Sequence, residues 1–196
     1  MTVALLSGAS SGALHAITGP DHLLSLGPAA LRSPETARRI GLQWGIGHAL
    51  GTLLLSLPLL FVVQSAHVAA LVASSNRLAG LALLATAAWS WRSAKRRFAD
   101  AAAETRHPLW VGLVHGVTGA GALVLLLPNL LSGSIARYLA YLLAFAVGST
   151  LMMVLFTQAI GRFGAALAAT TVVRLQRALL CGAAVLGSAW LLGLSG

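Results

Sequence analysis

Polar residues are sparse along this chain and come in clusters, so the apolar runs between them fall into six stretches: Val3 to Leu31, Thr36 to Val63, Val68 to Trp91, Leu109 to Leu131, Ile135 to Ile160 and Val172 to Leu194. About 20 helical residues cross a ~30 Å hydrocarbon core, so each stretch is long enough to span it. The pattern predicts an all-α polytopic membrane protein of six transmembrane helices. Ser33-Pro34-Glu35 marks the start of the second helix, with serine as N-cap, proline in the first turn and an acid at the positive end of the dipole. In the third stretch, Ser74-Ser75-Asn76-Arg77 interrupts the apolar run and predicts a helix proper that begins near Leu78 and continues past Trp91. The first stretch is interrupted by Gly19-Pro20. Proline removes a helix hydrogen bond and drives its predecessor out of the helical region, which predicts a kinked or opened helix with freed carbonyls beside it.

Composition agrees with this class. The chain is 58% hydrophobic and only 9% charged, against roughly 25% charged residues in soluble domains. Its formal net charge of +9 does not point to nucleic acid, because the basic residues lie in short clusters between apolar runs. Arg32, Arg38 and Arg39 follow the first span, Arg92, Lys95, Arg96, Arg97 and Arg106 the third, and Arg162, Arg174 and Arg177 the fifth. The opposite side holds only Arg77 and Arg137, so the positive-inside rule puts the three basic loops in the cytoplasm and both termini outside. Trp89, Trp91 and Trp110 are then expected at the cytoplasmic interface, Tyr138, Tyr141 and Trp190 near the outer one, and Trp44 inside the bundle. No charged n-region or cleavage site marks a removable signal peptide, so the first segment is expected to stay. The single cysteine, Cys181, excludes Cys-pair metal and redox motifs.

An internal repeat organises the spans. At an offset of 100 residues, Gly12 to Leu23 aligns with Gly112 to Leu123, sharing His-x-x-Thr-Gly at His15 and His115, and Pro28 matches Pro128 beyond. Two units of three spans enter the membrane from opposite sides, which is the inverted-repeat plan of many secondary carriers. The expected division is residues 1–98 and 108–196 as the two repeats, with 99–107 as a basic cytoplasmic loop. Where the first copy has Asp21 and His22, the second has Gly121 and Ala122, so the acidic chemistry is expected in one half and His115 is assigned at most a helper's role.

The chemistry concentrates at the Gly-Pro break. On an unbroken helix His15, Thr18 and His22 fall at i, i+3 and i+7 on one stripe, with Asp21 on the adjoining face. A buried carboxylate is costly in lipid and is expected to face a cavity, a partner or a cation. Imidazole donors suit nickel, cobalt, copper and zinc rather than magnesium or calcium. Histidines of this kind can also serve only as interhelical hydrogen-bond partners, the alternative weighed for each of them. His48 lies in Trp44-Gly45-Ile46-Gly47-His48-Ala49-Leu50-Gly51, where Gly47 and Gly51 permit close helix approach and bring His48 against the first segment. The expected metal residues are His15, Asp21, His22 and His48. Thr18, His115, Thr118, Ser149 and Thr150 are candidates to line the path, and Met152 or Met153 for soft sulfur. Gly8/Gly12, Gly41/Gly45 and Gly112/Gly116 read as packing, and His67 and His107 as solvated loop-edge residues.

At these positions the chain resembles the nickel/cobalt transporter superfamily, in particular its urease-accessory-type branch. The classical signature there is His-x4-Asp-His in one membrane helix and Leu-Gly-His-Ser/Thr on the next. Here His15 to His22 is one residue longer, and Ile46-Gly47-His48 matches the second motif with Ala49 and Leu50 in place of its hydroxyl residues. The resemblance implies that His15, Asp21, His22 and His48 recognise metal and that the protein is a permease for Ni2+ or Co2+, carried as substrate, with no cofactor and no enzymatic activity. The central loop is not histidine-rich as in exporters of the superfamily, which leans the expectation toward uptake. The expected location is a bacterial-type cytoplasmic (inner) membrane. Its expected partners there are the bilayer and the divalent ion; a homodimer is one arrangement open to it, and the sequence does not fix the oligomeric state. The runner-up is an exporter of a small solute, such as a basic amino acid, on the same six-helix plan. Thiol-disulfide electron transfer is set aside for want of a second cysteine. A membrane metalloenzyme is set aside for want of His-Glu-x-x-His and a second intramembrane acid.

Overall fold

A computed structural model of the chain describes residues 1–62, 68–95, 108–118 and 134–194, and within them every regular element is helical. The helices are α1 (Thr2–Thr18), α2 (Pro20–Arg32), α3 (Ala37–Val62), α4 (Val68–Lys95), α5 (Pro108–Thr118), α6 (Ile135–Ala165) and α7 (Ala169–Leu191), with a 3-10 turn at Pro34–Thr36. Among these residues, three helical stretches are long and apolar enough to cross a membrane by length and composition: Pro34–Leu57, Ile135–Ala165 and Ala169–Leu191. The chain is thus all-α and has the makings of a membrane protein. The expected loop at 99–107, with His107, the second half of the fourth span, with Gly121 and Ala122, and His67 lie outside the described residues.

The first apolar stretch is two helices. Gly19 takes an extended conformation, φ −71° and ψ 106°, as a residue before proline is driven to do, and Pro20 then opens α2 at its N1 position. Asp21 falls in the first turn of α2, where the positive end of the helix dipole favours an anion. The carbonyls at the break are not all free: His15 O accepts from Gly19 N–H, and Gly19 O accepts from His22 N–H, each at 3.1 Å. At the far end of α2 the Ser33 carbonyl accepts from the Thr36 N–H, which shapes the 3-10 turn that leads into α3. The interruption at Ser74–Arg77 does not delay α4. It runs unbroken from Val68, since serine and asparagine are only mildly unfavourable in a helix that packing holds in place.

The sequential halves interlace. α1 lies along α6, α3 packs between α5 and α6, α4 pairs with α7, and α2 rests on α6 and α7. Glycines set these approaches, because a side chain there would collide with the neighbouring backbone. A Cβ on Gly12 would strike the Phe145 carbonyl oxygen, one on Gly112 that of Trp44, one on Gly47 that of Leu109 and one on Gly148 that of Ala9. The stripes read as packing motifs therefore pack as expected.

The two ends of the bundle differ. At one end the C-terminus of α6 meets the junction of α2 and α3, with Gly161 against Pro34 and Gly164 against Leu31. Arg32, Arg38, Arg39 and Arg162 belong to this end. A cleft there reaches inward between α2, α3, α4 and α5, with Arg32, Trp89 and Pro108 among its walls and Trp44 at its inner side. At the other end α1 begins beside α6, where Ala4 packs with Tyr138, Tyr141, Leu142 and Phe145. Trp89, Trp91 and Trp110 are exposed. Tyr138 and Tyr141 are not: both are buried, and the Tyr138 hydroxyl donates to Ser56 O at 2.9 Å. The side of the helix they occupy could not be read from hydropathy along the chain.

Candidate metal centre

The break at Gly19 shapes the site. With α1 ending at Thr18 and α2 restarting at Pro20, His15 and His22 are carried by two helices rather than one stripe, yet their rings meet edge to face with centroids 4.7 Å apart. His48, midway along the 26-residue α3, completes the group: its ring lies 5.5 Å from that of His15 and 5.3 Å from that of His22. One donor atom from each of His15, His22 and His48 lies within 4.8 Å of the others. His22 and His48 are fully buried. Among the described residues, both ring nitrogens of each, and Nε2 of His15, have no hydrogen-bond partner. Buried polar groups are normally satisfied, so a cluster of unpartnered imidazole nitrogens is where a ligand is to be sought.

Asp21 does not join that trio. It belongs with His22 and His115, whose donor atoms form a second group within 4.8 Å. His115 Nε2 sits 2.6 Å from Asp21 Oδ2, and His22 Nδ1 3.7 Å from Asp21 Oδ1. The expected four-residue set of His15, Asp21, His22 and His48 thus resolves into two triads that share His22. His115, expected only to assist, is a full member of the second. The repeat that pairs His15 with His115 was the available signal. It failed to rank His115 because a repeat compares positions between copies, whereas the contact to Asp21 runs between one copy and the other.

The remaining candidates separate in the same way. Thr18 is exposed and its hydroxyl donates to Leu14 O at 2.8 Å; it lies on the side of α1 opposite the buried stripe of Ala4, Gly8, Gly12 and Ala16. Thr118 is buried one turn beyond His115, with its hydroxyl on Val114 O and His115 O. Ser149 is fully buried where α1 crosses α6, donating to Ala146 O, and Thr150 faces Gly45 of α3. Met153 is in the apolar cluster with Ala16, Leu26, Ile40 and Trp44, and Met152 packs against that cluster.

Trp44 is the part of the site that its residue type did not advertise. It is buried inside the bundle as expected. Its ring stacks on His48, 5.2 Å between centroids at 8°, and lies 5.3 Å from His22 and 5.1 Å from His115. One turn before His48 on the same face of α3, it forms a wall common to both triads and stands between them and the cleft at the arginine-rich end. Thr52, one turn after His48, is also buried, and its hydroxyl lacks a hydrogen-bond partner among the described residues.

The fold and the site define a class: a helical bundle with membrane-length helices and a buried cluster of histidines around one aspartate. No family model and no solved structure matches the chain. Among curated proteins it is similar to Chloroplast protein FOR GROWTH AND FERTILITY 2 of Arabidopsis thaliana, 28% identical over 184 residues covering 82% of this chain and 48% of the plant protein. It is similar also to Chloroplast protein FOR GROWTH AND FERTILITY 1 of the same plant, 28% identical over 194 residues, 82% of this chain and 50% of the other. The chain spans about half the length of the curated relatives it matches.

Proposed function

We propose that the chain is a permease for a divalent transition-metal ion, Ni2+ or Co2+, and acts without enzymatic chemistry. The observation that carries this reading is the convergence of three imidazoles from α1, α2 and α3, unpartnered and within 4.8 Å, halfway along the bundle beside a broken helix. Imidazole donors select borderline metals, and hard cations such as Mg2+ and Ca2+ want oxygen sites. His15 lies in the last turn of α1, whose carbonyl end carries the negative pole of the helix dipole and favours a cation there. Ring centroids about 5 Å apart bring the imidazole donors to the spacing of a single ion, which favours this reading over an exporter of a basic amino acid, whose recognition would call for acidic side chains rather than three histidines.

The packing supports two inverted repeats of three spans. Under offsets of 100 and 101 residues, the contact of Gly12 with Phe145 maps onto that of Gly112 with Trp44, and the contact of Gly148 with Ala9 onto that of Gly47 with Leu109. α1 on α6 and α5 on α3 are then images of one another, and the ion site lies where the copies interlace, as in carriers that rock one repeat against the other. Arginines gathered at one end of the bundle support an orientation with that end in the cytoplasm or its equivalent and the N-terminus opposite. The names of the plant relatives speak of chloroplasts, growth and fertility. They bear on the membrane such a chain occupies, a bacterial-type inner membrane or its plastid counterpart, and leave the cargo to the donor set.

Proteoliposomes loaded with a metal-sensitive dye test the reading. Flux of Ni2+ or Co2+, exceeding that of Mn2+ and abolished by His15→Ala and by His48→Ala in well-folded protein, is expected. Undiminished flux in either variant would reject the site, and no metal flux in either direction would reject the function.

A further inference from the structure

The two triads meet at one residue, and that junction has a consequence for how an ion is held. We propose that the chain offers its cation two overlapping positions that share His22: an imidazole position on His15, His22 and His48, and a carboxylate position on Asp21, His22 and His115. This deepens the metal-permease reading and rests on it.

The two donor sets are each mutually close, but no close set joins Asp21 to His15 or His48 among the described residues, so the five side chains fall into two groups rather than one. His22 stands between them. It is fully buried, neither ring nitrogen has a hydrogen-bond partner, and its Nδ1 faces Asp21 Oδ1 at 3.7 Å. A neutral imidazole has a single lone pair free for a metal, so His22 serves one position at a time and the two positions hold one ion between them.

The positions differ in chemistry and in place. The first has only imidazoles, from α1, α2 and α3, all within the first half of the chain; it prefers borderline ions. The second adds an anionic oxygen and reaches across to α5 of the second half, so it also accepts harder ions such as Mn2+. In the present arrangement the second is closed by the bond between Asp21 and His115, and an ion entering it replaces that bond. Exchange of His15 and His48 for Asp21 and His115 around a retained His22 passes the ion from donors of the first half alone to donors of both halves without releasing it. That transfer is the step a rocking carrier needs between loading and release.

Co2+ binding to the full chain in detergent tests this, because its absorption bands report the donor set and equilibrium dialysis reports the count. Wild type is expected to bind one Co2+ per chain. Asp21→Asn with His115→Ala leaves only the imidazole position; His15→Ala with His48→Ala leaves only the carboxylate position. Each double variant is expected to retain one Co2+ within about 100-fold of wild-type affinity, with spectra that differ from each other. His22→Ala is expected to weaken binding more than either. If His115→Ala prevents folding, Asp21→Asn with His115→Gln keeps the hydrogen bond and takes its place. Loss of all Co2+ binding from one well-folded double variant, while the other binds with the wild-type spectrum, would show a single site and overturn the proposal. Two Co2+ per wild-type chain would overturn the shared ligand. A wild-type chain that binds no Co2+ would overturn the metal reading itself, a result distinct from either of these.

Discussion

The bond between Asp21 and His115 is the most exacting test of the site's geometry in the absence of any ion. The carboxylate is 10% exposed and the imidazole 3%, and they meet at 2.6 Å between helices from different halves of the chain. A hydrogen bond to a charged group contributes about 1.5–3 kcal/mol, and removing one partner of a buried charged pair costs roughly 3–5 kcal/mol because the other is left unpaired. Interhelical hydrogen bonds inside membrane proteins average only about 0.6 kcal/mol, since the lipid-embedded unfolded state finds other partners. A carboxylate held in the first turn of α2 is harder to re-satisfy than a neutral side chain, so His115→Ala is expected near the lower charged-pair figure, about 3 kcal/mol. Asp21→Asn removes the charge but keeps the shape and an acceptor, at about 1 kcal/mol. Once the charge is gone, His115→Ala should cost only about 1 kcal/mol of packing, so the cycle predicts a coupling of about 2 kcal/mol, roughly thirtyfold in the unfolding equilibrium. The assay is unfolding in mixed detergent micelles with a metal chelator present, followed by helical circular dichroism for wild type, both single variants and the double. Effects that add to within about 0.5 kcal/mol would refute the pairing, because additivity of that quality marks independent sites.

Three further outcomes follow from the packing. Gly47→Val puts a side chain into the Leu109 carbonyl of α5 and is expected to lower stability by about 1–3 kcal/mol and to abolish flux, which thermal unfolding and proteoliposome uptake would measure. Trp44→Phe keeps an aromatic wall but shortens it, and is expected to speed modification of the buried histidines by diethylpyrocarbonate from the arginine-rich end; an unchanged rate would show that Trp44 does not separate cleft from site. Thr18→Val alters an exposed hydroxyl bonded only to Leu14 O among the described residues and should leave metal flux at the wild-type level, within about 0.5 kcal/mol in stability.

Periodicity and local chemistry made the helices legible, along with the break between them. Proline lacks the N–H that would continue α1, so the opening at Gly19 could be read directly from Gly19-Pro20. The convergence of His15 and His22 was also legible, but their spacing on one stripe does not survive the break that Gly19-Pro20 predicts, and two helices meeting at an extended residue bring the rings together instead. Thr18 shows the limit of spacing alone, because it is three residues from His15 yet lies opposite the face of α1 that packs on α6. Tyr138 and Tyr141 show a second limit. Hydropathy locates a residue along a span, while the neighbours that α6 gains on each side depend on which helices pair, and those pairings are long-range. His115 was hidden for the same reason, since its bond to Asp21 runs between the halves, whereas Trp44 was placed inside the bundle but its stacking on His48 depends on which rings the fold gathers there.

The ion's size and the glycine contacts together say where the protein must move. Tetrahedral coordination with metal–nitrogen bonds of about 2.0–2.1 Å sets donors about 3.4 Å apart. Donors in each triad lie within 4.8 Å of one another, and in the second His22 Nδ1 is 3.7 Å and His115 Nε2 2.6 Å from the Asp21 carboxylate, so binding an ion readjusts the donors of either triad. The helices cannot supply this by sliding closer, since Gly12, Gly47, Gly112 and Gly148 already lie against opposing backbones. What is left is the short helix α2, which carries Asp21 and His22 and joins α1 through Gly19 alone. A Cβ on Gly19 would run into the His22 imidazole and lie 2.7 Å from Asp21 Oδ1, so the missing side chain provides the space those two ligands occupy and turn within. Gly19→Ala is therefore expected to weaken Co2+ binding at least tenfold by displacing His22 from both triads, while the packing of α1 on α6, set by Gly8, Gly12 and Gly148, keeps helix content and thermal stability close to wild type. A Gly19→Ala protein that binds Co2+ as tightly as wild type would place the closing motion in the side chains of His15 and His48 and not at the break.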